Sequence, residues 1–63
     1  MYKIEIVLPT RTAEHKFDNL QDAEKRFEKL SLNMLFGGSK IQAVSLYEKR
    51  DNAWYSLKIH TNQ

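Results

Sequence analysis

At the start of the chain, apolar Tyr2, Ile4, Ile6 and Leu8 alternate with Lys3 and Glu5, the period-two pattern of a strand with one buried face. The pattern predicts a strand over residues 2–8. Pro9 has no amide to donate to a ladder, so Pro9-Thr10-Arg11-Thr12 reads as a turn before a second extended run, Ala13 to Phe17. With Thr10 and Arg11 at the tip, Leu8 faces Ala13, Ile6 faces His15 and Ile4 faces Phe17. On the other face Glu5 then meets Lys16, an opposite-charge pair.

From Asp18 onward the period lengthens. Leu20, Ala23, Phe27, Leu30 and Met34 recur at spacings of three and four, an apolar stripe along a helix, while Asp22, Lys25, Arg26, Glu28 and Lys29 turn to water. Asp18 or Asn19 supplies the N-cap, and Gln21 and Asp22 put an acceptor and a negative charge in the first turn, where the helix dipole favours them. Gly37-Gly38 ends the helix, because glycine takes the left-handed conformation without penalty. Leu32, Leu35 and Phe36 add apolar surface to the last turn.

Two β-rich runs follow, Ile41 to Glu48 and Trp54 to His60, with Asp51-Asn52 suited to the tip of a second hairpin. Centring the turn there pairs Leu46 with Leu57, Val44 with Ile59 and Glu48 with Tyr55 on one face. The other face carries Lys49 with Trp54, Tyr47 with Ser56, Ser45 with Lys58 and Ala43 with His60. Val44, Leu46, Leu57 and Ile59 then join the helix stripe, Ile4, Ile6, Leu8 and Phe17 in one core. The fold class is α+β: a single ββαββ domain over residues 1–63, with antiparallel hairpins and one amphipathic helix packed on one sheet face.

Composition narrows this picture. A chain of 63 residues buries only about 60% of its unfolded surface, and without cysteine it has neither disulfides nor thiolate metal sites to reinforce the core. A net charge of +2 falls well short of the positive field of a dedicated phosphate binder. No apolar run approaches the roughly 20 residues needed to span a bilayer, and the N-terminus lacks a signal-peptide pattern. The expected location is the cytoplasm, without membrane association.

The candidate chemistry lies on the second hairpin, where Tyr47 and Trp54 are expected among Lys49, Lys58 and His60. Aromatics among cations suit a single-strand nucleic-acid platform, on which bases stack and lysines follow phosphates. The RNA-binding glycine-aromatic signature is missing, however, and Glu5 and Glu14 share that face. The same rings, with surplus apolar Val7, Leu32, Leu35 and Phe36, suit a protein interface, and Trp and Tyr are its usual anchors. A protein partner or a homodimer is the preferred reading, and nucleic acid the alternative.

Nothing nominates an enzyme or a cofactor. His15 and His60 fall on opposite sides of the sheet in the expected registers, so they form neither a metal pair nor an acid–base pair. The serines have no His-Asp arrangement near them. Gly37-Gly38-Ser39-Lys40 follows a helix rather than opening one, which a phosphate loop must do. The carboxylates of Asp22, Glu24 and Glu28 read as a solvated helix face.

The helix start Phe17-Asp18-Asn19-Leu20-Gln21-Asp22-Ala23, followed by Val44-Ser45-Leu46-Tyr47-Glu48 and by Trp54 in the last strand, resembles small uncharacterised bacteriophage and prophage proteins. The resemblance implies the ββαββ pattern and a phage or prophage origin, and it transfers no catalytic residue. The roles it implies are binding a host protein or assisting nucleic-acid transactions in the host cytoplasm.

Overall fold

The computed structural model describes residues 1–37 and 40–61 of the chain. Its elements are β1 (Tyr2–Val7), β2 (Thr12–Phe17), α1 (Leu20–Leu35), β3 (Ala43–Arg50) and β4 (Ala53–Thr61), the expected ββαββ order. All pairings are antiparallel, in the order β2-β1-β3-β4. The chain's first and third strands therefore join the two hairpins side by side at the centre of one sheet.

The first hairpin turns earlier than its sequence suggests. Tyr2 pairs with Phe17, Ile4 with His15 and Ile6 with Ala13, a register displaced by two residues from the expected one. Pro9 and Thr10 form the tip, and the Leu8 amide donates to the Arg11 carbonyl at 2.8 Å. The fixed φ of Pro9 suits the first tip position, which decides the register. A two-residue slip leaves every side chain on its intended face. It does change the charge pairing: Glu5 now meets Glu14 and Lys3 meets Lys16, and the like charges are relieved by the diagonal Lys3–Glu14 ion pair at 3.7 Å.

Asn19, one of the two expected caps, accepts from the Asp22 amide at 2.9 Å and donates from its side-chain amide to the Asp22 carboxylate. At the other end Gly37 takes a φ of +76° and its amide meets the Met34 carbonyl, the left-handed helix stop. Gly38, the second glycine of the expected stop, lies outside the described residues, as does Ser39. The helix packs over β1, β2 and β3. Ile4, Ile6, Val44 and Leu46 from the sheet meet Ala23 and Met34 from the helix and Ile41 from the loop before β3, with Phe17, Phe27, Leu30 and Leu8 packed around them. Leu20, expected in the stripe, is exposed at the first turn. The Tyr2 hydroxyl donates to Glu48 at 3.2 Å, and desolvation with that bond raises its pKa above the ordinary 10.0.

The second hairpin turns where expected. Asp51 and Asn52 have φ of 50° and 67°, the pair of positive values that defines a type I′ turn. Glu48–Tyr55, Tyr47–Ser56 and Lys49–Trp54 pair as the sequence suggested. Beyond them a bulge intervenes: Tyr47 pairs with Ser56 but Leu46 with Lys58, so Leu57 has no opposite residue. The expected Leu46–Leu57, Val44–Ile59, Ser45–Lys58 and Ala43–His60 pairs are replaced by Leu46–Lys58, Val44–His60, Ser45–Ile59 and Ala43–Thr61. Leu57 and Ile59 thus leave the core and are 40% and 65% exposed. The helix covers the other three strands and leaves β4 at its margin, so an apolar side chain there gains little cover. Lys58 in that place reaches a helix carboxylate instead.

Urea denaturation tests both hairpin features. Asn52→Gly, which suits the positive φ better, is expected to raise stability by about 0.5 kcal/mol, and Asn52→Val to lower it by about 1–2 kcal/mol. Leu46→Ala, at a fully buried position, is expected to cost about 2–5 kcal/mol. Raising pH should weaken the fold beyond the ordinary phenol pKa, because Tyr2 keeps its proton longer folded than unfolded, and Glu48→Gln should bring its absorbance titration down towards that ordinary value.

Candidate functional site

Partners in an antiparallel pair share a face, so the registers sort the candidate residues between the two sides of the sheet. On the side away from the helix, Lys3 lies opposite Tyr47, Tyr47 opposite Ser56, and Lys49 opposite Trp54. The ladder continues through Glu5, Ser45 and Ile59. Tyr47, Lys49 and Trp54 are thus brought together as expected. Lys58 and His60 are not: the bulge turns them to the helix side, opposite Leu46 and Val44.

The centre of the open face is Lys3. Its ammonium lies 4.6 Å from the Trp54 ring centroid and 5.3 Å from that of Tyr47, and its side chain is only 13% exposed. Lys49 approaches Trp54 at 5.8 Å. Each cation faces ring electron density, an attraction of about 0.5–2 kcal/mol that grows as water is excluded. Glu14 pairs with the Lys3 ammonium at 3.7 Å from the side of β2. Sequence reasoning missed Lys3. Its phase on β1 already put it on the same side as Glu5, but only the adjacency of β1 and β3 brings it under the rings.

Lys58 instead donates to Glu24 of the helix at 3.2 Å, bridging β4 and α1. Together with Phe27, Glu28, Ser31 and His60 these residues line a groove of about 440 Å³ between helix and edge strand. The Ser31 hydroxyl oxygen is buried in its wall and has no hydrogen-bond partner among the described residues. At the hairpin end a chain of contacts runs from Tyr2 through Glu48 to Arg50, whose guanidinium lies 5.9 Å from the Tyr55 ring centroid. Among the described residues no group of three or more His, Asp or Glu is placed to hold a metal ion. No helix among them is long and apolar enough to cross a membrane.

No protein-family model matches the chain, and no curated protein or solved structure matches it either.

Trp54 is the single tryptophan, so its fluorescence reports on the open face alone. Replacing Lys3 by methionine keeps the stem and removes the cation. The expected result is a shifted Trp54 emission and a loss of about 0.5–1 kcal/mol in urea denaturation.

Proposed function

We propose that this is a non-enzymatic interaction protein whose open sheet face docks on a protein partner. The observation that carries the reading is the position of Ile59. It is 65% exposed on the same face as Tyr47 and Trp54, which sets three large apolar or aromatic side chains among Ser45, Lys49, Ser56 and Thr61 on that side of β3 and β4, beside the charged flank of Lys3, Glu5, Glu14 and Lys16. An apolar centre with aromatic anchors and a rim of mixed charge is the composition of protein interfaces. A host protein is the partner class that the phage resemblance favours, and the host cytoplasm the place of encounter.

The bulge weighs against a single-strand nucleic-acid platform. With Lys58 and His60 on the helix side, the open face has Lys3, Lys16 and Lys49 against Glu5 and Glu14, and Lys3 already occupies ring surface on which a base would stack.

The test uses the folded protein as bait for host lysate at moderate salt, beside Trp54→Ala and, as a control at another exposed apolar position, Phe36→Ala. A partner retained by parent and Phe36→Ala but lost by Trp54→Ala is the expected outcome. Equal capture by all three would refute the face. Uptake of a mixed-sequence single-stranded oligonucleotide that declines steeply with salt would make nucleic acid the ligand instead.

A further inference from the structure

β4 differs from the other edge of the sheet. β2 is six residues long and bears Glu14, His15 and Lys16, all exposed, the charged defence usual at sheet edges. β4 has nine residues, no proline, no carboxylate and one lysine, and among the described residues it has a neighbouring strand on one side only. Of the eight exposed large hydrophobics among the described residues, three lie on it: Tyr55 (49%), Leu57 (40%) and Ile59 (65%).

We propose that β4 pairs with β4 of a second copy, antiparallel about a two-fold axis passing between Leu57 and Lys58. The bulge selects this register. One extra residue reverses the phase of both side-chain direction and amide direction along the rest of the strand. Trp54 and Ser56 therefore share a face with Ile59 and Thr61, and Tyr55 shares the other with His60. With the axis at the Leu57–Lys58 step, Ser56 meets the second copy's Ile59, Tyr55 its His60 and Trp54 its Thr61, so faces match on both sides of the bulge. A register that sets any β4 residue opposite itself matches faces over only one half of the strand.

Charge permits the approach. The two Lys58 side chains come near the axis, but each is neutralised by Glu24 of its own helix at 3.2 Å, so the copies meet as neutral edges. The same pairing at β2 would bring charged residues of both copies together. Two four-stranded sheets become one of eight strands, with both helices on one side and both Trp54 residues on the other. This inference does not rest on the protein-partner reading of the open face.

The chain has no cysteine, so introduced thiols report the contact directly. Ser56→Cys and Ile59→Cys are prepared as separate variants and mixed under mild oxidation. The expected product is a disulfide-linked dimer of one variant with the other, in clear excess over either variant linked to itself, because opposed residues sit at bridging distance and like positions do not. Sedimentation equilibrium should find the parent and Tyr47→Ala dimeric, and Leu57→Lys weakened by about tenfold or more while its Trp54 emission stays native. A monomeric parent at millimolar concentration would overturn the proposal. So would a dimer lost in Tyr47→Ala and kept in Leu57→Lys, which would place the contact on the open face.

Discussion

The pairing of β1 with β3 is the constraint on which the rest of the structure hangs. At its centre Ile4 lies opposite Leu46, and both are fully buried beneath Ala23 of the helix. Two isolated hairpins would be marginal in water, and this seam makes them one sheet with a face wide enough to seat α1. Ala23 is fully buried in the same cluster as Ile4, Val44 and Leu46, and a small side chain at that position leaves room for a helix to sit close to a sheet. The seam also fixes the open face, since it carries Lys3 under rings that belong to the other hairpin.

The elements themselves could be read from the sequence because each has a local cause. Alternation at Tyr2, Ile4 and Ile6, the three-and-four spacing from Ala23 to Met34, the Asn19 cap and the Asp51-Asn52 turn all act within a few residues. The tip of the first hairpin was displaced because Pro9 prefers the first turn position, a preference outweighing the Glu5–Lys16 pairing that favoured the other register. The bulge in β4 had no local signature. Residues Leu57 to Ile59 alternate as a regular strand does, and what selects the extra residue is tertiary: the helix stops short of β4, and Glu24 stands where Lys58 can reach it.

That single residue divides the candidate site. Of the five residues the sequence grouped, Tyr47, Lys49 and Trp54 stay together, while Lys58 and His60 pass to the groove beside the helix. In exchange Ile59 joins the aromatic side of the sheet, and the character of the open face shifts from basic towards apolar. The chemistry of the face thus follows from backbone register more than from composition, and the same register underlies the proposed pairing of β4 with its copy.

The measurement that bears most directly on this account is a nuclear Overhauser spectrum of the labelled protein, read for the side-chain neighbours of Lys58 and Ile59. The structure predicts Lys58 protons near Glu24, and cross-strand contact between Ile59 and Ser45. Contacts from Lys58 to Ser45, with Ile59 beside Val44 under the helix, would mean an unbulged strand and would contradict the division of the two faces.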